Sequence, residues 1–343
     1  MQVSSIRSFS QQVLLASLMG VSAAQAAGYT VLDLGPAGAY DINSQGQVLG
    51  LNTLWDSDGT AHPLTGLSKG LKLNDQGTVL GIVTTVTSDP RYPGKQIAVR
   101  TADGTVTSVD SISPIADEFK DLIAITPTNT VLVKGNNGLS LWNPQNPVLV
   151  PVKTTGVNYN FEATGLSAGG TIIGNATQST NTTQGYKIVY LVGTLTASNP
   201  ALVTPTKYLS FKPLAINSVN QVVGKKDTVN SKLAVTATKA YLWSSATGEK
   251  ALPSLFLYAF SEPADINAKG QVVGTARFSA SSTTTVAFAW SPKTGTVNLN
   301  NQIGSASSTV KVLSAKAIND AGQIAGYGLI NGEYRSLLLT PKP

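Results

Sequence analysis

Short apolar runs alternate with turn-forming residues along the whole chain after about residue 27. The stretch DINSQGQVLG at 41–50 is typical, with a polar half rich in turn formers followed by an aliphatic half suited to a strand. No window past residue 27 repeats apolar residues at the helical period for three turns. The pattern therefore predicts an all-β fold of short strands joined by tight turns.

This stretch recurs, and the copies define repeats one to seven. Their sequences are DINSQGQVLG, KLNDQGTVLG, AITPTNTVLV, GLSAGGTIIG, AINSVNQVVG, DINAKGQVVG and AINDAGQIAG. The first copy ends at residue 50 and the last at residue 326, six intervals later, so the mean spacing is 46 residues. A period of about 40–50 residues is typical of β-propeller blades, each of which is a four-stranded sheet.

The polar half of each copy predicts a type I turn followed by a G1 bulge. Each copy has a short polar residue that can bond the backbone ahead of it, and three residues later a Gly or Asn, which adopt a left-handed backbone at little cost. The two sets are Asn43, Asn74, Thr126, Ser167, Asn217, Asn267, Asn319 and Gly46, Gly77, Asn129, Gly170, Asn220, Gly270, Gly322. A calcium loop is disfavoured, because the first ligand position is acidic only in repeats one and six.

A second element, an alternating aromatic and aliphatic strand, also recurs in every repeat. All four tryptophans occupy the same place in it, where we expect burial between neighbouring blades: Trp55, Trp142, Trp243 and Trp290. Each repeat then has four strands, a to d in chain order, and Tyr29–Leu34 resembles a strand d that the last repeat lacks. The sequence predicts one domain over 27–343, a seven-bladed β-propeller of four-stranded blades, closed by pairing of the N-terminal strand with the last blade.

The combination A-I-N-x-x-G-Q-V-V-G followed by A-F-x-W resembles the HAF repeats of bacterial extracellular proteins. The resemblance covers nearly the whole chain after residue 26, although His-Ala-Phe itself is replaced by Val286-Ala287-Phe288 and Lys239-Ala240-Tyr241. It implies a secreted, propeller-like repeat protein and carries no activity with it.

The N-terminus has the features of a signal peptide over 1–26. Arg7 precedes a short apolar run at 13–21, and Ala24-Gln25-Ala26 fits a cleavage site. Such a run is too short to span a bilayer core of about 30 Å, so we expect no membrane anchor after removal of the signal. We therefore expect an exported monomer, periplasmic or extracellular.

Composition excludes several kinds of chemistry. The chain has no cysteine, and hence no disulfide, thiolate nucleophile or sulfur-ligated metal. The single histidine, His62, lies in a predicted outer strand, where a solvated polar residue is the ordinary interpretation, and without a second His no catalytic triad or zinc site is supported. The formal charge of +6 permits an anionic partner, but no long basic run indicates nucleic acid. We predict no cofactor and no metal.

Carboxylates leave an enzymatic alternative open. The 18 Asp and Glu residues include one cluster, at 117–121, which we interpret as a charged loop. The sequence does not show whether Asp41, Asp265 and Asp320 meet near the channel. A carbohydrate-active hydrolase or lyase that uses channel carboxylates is therefore an alternative function.

The connection between strands b and c varies most between repeats. It is short at 134–138 and long at 84–96, 175–187, 225–239 and 275–285. Variable loops on a rigid scaffold commonly carry binding, whereas Ser/Thr-rich tips can also be merely solvated. We expect a non-catalytic binding module for a glycan, a cell-surface component or a protein, with a structural repeat protein as another alternative. The candidate binding residues are Arg91, Tyr92, Tyr186, Lys225, Lys226 and Lys232.

Overall fold

A computed structural model describes residues 28–36, 38–85, 94–109, 122–135, 138–155, 159–179, 186–196, 198 and 201–343. The strands are β1 (Tyr29–Gly35), β2 (Ala39–Ile42), β3 (Val48–Gly50), β4 (Thr53–Trp55), β5 (Ala61–Pro63), β6 (Lys69–Leu73), β7 (Val79–Thr85), β8 (Gly94–Arg100), β9 (Val106–Val109), β10 (Leu122–Ile125), β11 (Val131–Gly135), β12 (Gly138–Asn143), β13 (Asn146–Thr154), β14 (Tyr159–Leu166), β15 (Thr171–Ser179), β16 (Tyr186–Thr196), β17 (Ala201–Leu209), β18 (Lys212–Ile216), β19 (Val222–Val229), β20 (Val235–Ser244), β21 (Gly248–Ala251), β22 (Phe260–Ile266), β23 (Val272–Arg277), β24 (Thr285–Ser291), β25 (Gly295–Asn298), β26 (Val310–Ile318), β27 (Ile324–Ile330) and β28 (Glu333–Pro341). Two short 3-10 helices, Leu299–Asn301 and Gly304–Ser308, precede β26.

The strands form antiparallel meanders. Four-stranded sheets have the orders β2-β3-β4-β5, β6-β7-β8-β9 and β1-β28-β27-β26. Two larger sheets have the orders β10-β11-β12-β13-β17-β16-β15-β14 and β18-β19-β20-β22-β23-β24-β25, and β21 pairs with β20. Each larger sheet is two meanders joined by a parallel contact, β13 with β17 and β20 with β22. The architecture is all-β and propeller-like.

The first strand pairs with the last. Strand β1 runs antiparallel to β28, with Tyr29 opposite Pro341 and Asp33 opposite Leu337. Arg335 Nε donates to both carboxylate oxygens of Asp33, at 2.9 and 3.0 Å, across the same pair of strands. The predicted pairing of the N-terminal segment with the last strand of the chain is confirmed.

The turns between strands a and b have the predicted geometry. In every described copy the N–H of the fourth turn residue donates to the carbonyl of the first, as from Gly46 to Asn43 at 3.0 Å. The fourth residue has a positive φ in each repeat, between 61° at Asn129 and 83° at Gly322. Gly and Asn are required here because other residues enter this region only with strain.

Strand a carries a feature that the sequence reasoning missed, a β-bulge at one equivalent place in each described repeat. The register shifts between Ala39 and Asp41 in repeat one and between Pro263 and Asp265 in repeat six, for example. The bulge brings a strand-a carbonyl against the last residue of the repeated motif. A Cβ added to Gly274 would lie 2.2 Å from the carbonyl oxygen of Glu262, so a side chain cannot fit without backbone movement.

The core consists of separate apolar clusters, most of which lie between two neighbouring meanders. One joins Trp55 to Leu338, and another joins Trp142 to Ile97. Trp290 is buried in the same way against repeat five, and Trp243 is partly buried against repeat four, so the predicted packing of the tryptophans between neighbouring repeats is confirmed. Packing of this kind orients each meander so that its strand a faces the centre of the molecule.

Candidate functional site

The strands a converge on a central cavity of about 240 Å³. Its wall takes residues from β2, β6, β10, β14, β18, β22 and β26. The residue after each bulge lines it: Asp41, Lys72, Ala124, Gly165, Ala215, Asp265 and Ala317. At this position repeats three to five contribute minimal side chains, and repeats six, one and two contribute Asp265, Asp41 and Lys72. Lys316 of repeat seven also lines the cavity.

Asp41 and Asp265 occupy equivalent positions and make equivalent bonds. The Oδ1 atom of each accepts the N–H of the following residue, at 2.9 Å for Ile42 and 2.8 Å for Ile266. The Oδ2 atom accepts an N–H of the next repeat, from Leu73 for Asp41 and from Ile318 for Asp265, both at 2.9 Å. Each carboxyl group therefore connects two repeats.

Both carboxyl groups have raised pKa values. Burial is the main cause, and it raises the pKa of Asp265 from 3.8 to about 7. The N–H bonds lower the pKa of Asp265, and the nearby Asp41 carboxyl raises it. Burial also raises the pKa of Asp41, against the opposing effect of the Lys72 ammonium group.

The carboxyl pair answers the question that the sequence left open. Asp41 and Asp265 line one cavity, whereas Asp320 does not line it and lies in the a–b turn of repeat seven, where its Oδ1 atom accepts the N–H of Ala268 at 2.7 Å. Perturbed carboxyl pairs suit acid–base chemistry, but structural networks perturb pKa values too. Because every carboxylate oxygen of the pair already accepts a backbone N–H, the geometry favours a structural connection over a catalytic one.

The turn asparagines form a second set of contacts between repeats. Among the described residues, Nδ2 atoms donate to the carbonyl oxygen of the equivalent residue in the next repeat: Asn43 to Asn74, Asn74 to Thr126, Asn217 to Asn267, Asn267 to Asn319, and Asn319 to Asn43. The last of these bonds, at 3.0 Å, joins repeat seven to repeat one. The asparagines thus stabilise the contacts between repeats as well as the turns.

The predicted binding residues fall into three groups. Arg91 and Tyr92 lie outside the described residues, as does the acidic cluster at 117–121, which was predicted to be a charged loop. Tyr186 begins β16 and pairs with Ser179. The remaining three, Lys225, Lys226 and Lys232, lie on one element, the β19–β20 hairpin.

The prediction of a long loop at 225–239 is wrong. Strands β19 and β20 continue through most of this segment, and only residues 230–234 form the turn. Lys225 and Lys226 are therefore strand residues. Lys225 Nζ donates to Glu262 Oε1 at 3.0 Å, and Lys226 Nζ lies 5.8 Å from the centre of the Tyr241 ring. Lys232 is exposed in the turn.

Sequence reasoning missed Leu233 beside these lysines. The turn has the same backbone bonds as the a–b turns, from the Leu233 N–H to the Asn230 carbonyl and from the Asn230 N–H to the Ala234 carbonyl, both at 3.0 Å. Leu233 occupies the left-handed position at φ 61° and its side chain is 81% exposed. The signal was available, because N-S-K-L aligns with the N-x-x-G of the repeated turn.

Further exposed apolar residues belong to elements hydrogen-bonded beside this hairpin. The Thr238 N–H of β20 donates to the Ala259 carbonyl at 3.0 Å, and the Ala259 N–H donates to the Phe278 carbonyl at 3.4 Å. Phe278 and Leu257 are exposed, and Phe256 is 86% exposed. We call the surface made by the 230–234 turn, the 252–259 link and Phe278 the hairpin face.

His62 lies in the outer strand β5, as predicted, and half of its side chain is exposed. Its Nε2 atom is 2.6 Å from Asp56 Oδ2, and the bonds from Gln47 and His62 lower the pKa of Asp56. A surface groove beside them also contains Arg100. Neither residue lines the central cavity, and among the described residues no three His, Asp or Glu side chains are grouped as metal ligands would be.

The fold is that of a β-propeller-like protein. The β-propeller domain of the Trilobed protease from Pyrococcus furiosus, described as having an open velcro topology, is 7% identical, with a TM-score of 0.56 over 93% of this chain and 95% of that one. The acylaminoacyl peptidase of Pyrococcus horikoshii is 10% identical, with a TM-score of 0.51 over 92% of this chain and 53% of that one. At such low identity these likenesses show the fold alone.

Residues 154–337 match the DUF3466 family, which is described as a protein of unknown function. The match covers more than half of the chain, and the chain belongs to this family. No curated protein matches it.

Proposed function

We propose that the protein is an exported β-propeller of seven blades that acts as a binding module, with its ligand on the hairpin face. The blade count is supported by the seven motif copies and by the strands a that line one cavity. Export is supported by the N-terminal sequence and by the resemblance to HAF repeats. The described residues contain no helix long and apolar enough to cross a membrane.

Leu233 carries the proposal of a binding face. At the equivalent left-handed position the a–b turns use Gly or Asn throughout, whereas this hairpin uses a leucine that is 81% exposed. The conformation costs a non-glycine residue about 1–2 kcal/mol. The exposed side chain makes no buried contact that offsets this cost, and strain retained at an exposed tip is typical of a functional position.

A second residue repeats the pattern. Leu257 has φ 70° at the third position of a turn closed by a bond from the Tyr258 N–H to the Leu255 carbonyl, where Gly or Asn would be expected. Its side chain is also exposed, next to Phe256. Two strained, exposed leucines on neighbouring hydrogen-bonded elements support selection for surface contact rather than for folding.

The test uses the protein without residues 1–26. Depletion from solution would be measured with a panel of polysaccharides, peptidoglycan and lipid vesicles, together with release of soluble product. Leu233→Asn should weaken binding at least tenfold while the fold is retained, because Asn occupies this conformation at Asn220. The matched control is Val219→Asn, since Val219 is also an exposed apolar turn residue of repeat five, in its a–b turn.

Binding that responds equally to both variants would contradict the assignment to the hairpin face. Release of product would instead support the hydrolase or lyase alternative. In that case Asp41→Asn and Asp265→Asn should abolish turnover, although their oxygens are engaged by backbone N–H groups.

A further inference from the structure

We propose that the hairpin face binds an anionic phospholipid surface, an inference that rests on the proposed binding function and names its partner. The apolar residues of this face are prominent. Val229, Leu233 and Val235 form the exposed tip of the β19–β20 hairpin, and Phe256, Leu257 and Phe278 are exposed on the adjoining link and strand end. Large apolar side chains exposed on adjoining elements mark an interaction surface.

The charge of this face complements an anionic partner. Residues 225–239 contain four lysines and one aspartate. Asp227 accepts the Thr238 hydroxyl at 2.6 Å, and Glu262 contacts Lys225 at 3.0 Å and Arg277 at 3.9 Å. Lys226, Lys232 and Lys239 are exposed and form no ion pair with any described residue. Three ammonium groups of the hairpin are therefore not neutralised by a described carboxylate, and one of them, that of Lys226, lies over the Tyr241 ring.

The spacing of charge and apolar surface fits a lipid interface. Lys226 pairs with Lys239 across the hairpin, and Val229 pairs with Val235 three residues nearer the tip. Strand residues rise about 3.4 Å each, so the lysine pair lies roughly 10 Å behind the apolar pair. Apolar groups of interfacial segments enter the headgroup and acyl boundary by about 5–10 Å, which places these ammonium groups among the phosphates.

The shape of the tip favours lipid over the other partners considered. Leu233 projects from a turn, and the tip residues Val229, Leu233 and Val235 are aliphatic, so the tip itself offers no flat ring on which a sugar could stack. The aromatic rings of this face are those of Phe256 and Phe278. A protein partner would need a pocket matched to each projecting side chain, whereas a fluid acyl layer receives them without one.

Vesicle flotation provides the first test. The protein without residues 1–26 would be mixed with vesicles of phosphatidylcholine alone or with 30% phosphatidylglycerol. We expect binding only with phosphatidylglycerol, and loss of that binding at high salt. Lys226→Gln combined with Lys239→Gln should weaken binding about tenfold or more, since each lysine near an anionic membrane contributes about 1 kcal/mol. Lys269→Gln, in the a–b turn of repeat six, should have no effect.

Insertion needs a readout that charge attraction alone does not give. Because the chain has no cysteine, Leu233→Cys can carry a single environment-sensitive fluorophore. Its emission should shift to the blue and strengthen with phosphatidylglycerol vesicles, while the same label at Val219→Cys should not respond. Unchanged thermal unfolding of both variants ensures that the comparison is made on folded protein.

The outcomes separate this inference from the binding function. No vesicle binding, or an equal response of both labels, overturns the lipid assignment. If a polysaccharide or protein is then bound in a manner sensitive to Leu233→Asn, the binding module stands with a different partner. If no probe shows that sensitivity, both proposals fail.

Discussion

Asparagine at position 265 should change how the stability of the protein depends on pH. The pKa of Asp265 is about 7 in the folded protein and about 3.8 when the chain is unfolded. Between these values the folded state holds a proton that the unfolded state releases, so the free energy of unfolding falls as the pH rises. A separation of about three pKa units, at about 1.4 kcal/mol each, corresponds to about 4 kcal/mol in total.

Urea unfolding at pH 5, 6, 7 and 8 measures this effect. The folded wild-type protein should lose about 3 kcal/mol of its free energy of unfolding over this range, because part of the total is already lost below pH 5. In Asp265→Asn the free energy of unfolding should fall by about 3 kcal/mol less over the same pH range. It should also be less stable than the wild type at pH 5, since the amide nitrogen cannot accept the N–H of Ile318, a loss of about 1–3 kcal/mol.

Asp103→Asn is the control for Asp265→Asn. The Thr101 hydroxyl and the Thr105 N–H lower the pKa of Asp103, so it titrates below the range measured. Its variant should keep the wild-type slope. If Asp265→Asn also kept the wild-type slope, burial would not be the dominant influence on the pKa of Asp265. The folded protein would then not hold a proton on this carboxyl group between pH 5 and pH 7.

Three further substitutions test the scaffold by urea unfolding. Gly274→Ala should destabilise by about 1–3 kcal/mol or more, because its Cβ would lie 2.2 Å from the Glu262 carbonyl oxygen, whereas Gly169→Ala should be tolerated, with its nearest contact at 3.9 Å. Asn319→Ser should cost about 1 kcal/mol, because serine serves this turn position in repeat four but cannot make the amide bond to repeat one. Leu233→Asn should raise the free energy of unfolding by up to about 1 kcal/mol through relief of the left-handed leucine, and a decrease would contradict the strain argument.

The repetitive parts of the fold were predictable because each copy reports the same local requirement. Asn129 and Asn220 stand where the other copies have Gly, and both adopt the left-handed backbone that only those two residues enter readily. The pairing of β1 with β28 followed from counting strands in the last repeat. The bulges were missed although the motif ends almost always in Gly, because close approach of a carbonyl from another strand leaves no mark in the local pattern.

The site was less predictable, because it depends on contacts between repeats. Asp41 and Asp265 were assigned to inner strands, but their approach across repeat seven depends on how the sheets pack around the centre. The lysines at 225 and 226 were placed in a loop, since polar residues and Thr repeats conceal strand pairing on a hairpin solvated on both sides. Leu233 could have been recognised by aligning its turn with the a–b turns, a comparison between different parts of one repeat.

Polar contacts join several pairs of neighbouring repeats, and two of them hold repeat seven, the repeat that the first and last strands of the chain complete together. Repeat seven takes its outer strand from the N-terminus, so the pairing of β1 with β28 inside that repeat depends on non-covalent contacts. Asp265 of repeat six accepts the N–H of Ile318 in repeat seven, and Asn319 of repeat seven donates to the carbonyl oxygen of Asn43 in repeat one. Buried polar bonds are satisfied in one register and broken in others, so they penalise a displaced closure more strongly than apolar packing would. This accounts for a carboxyl group retained in the cavity despite the burial that raises its pKa.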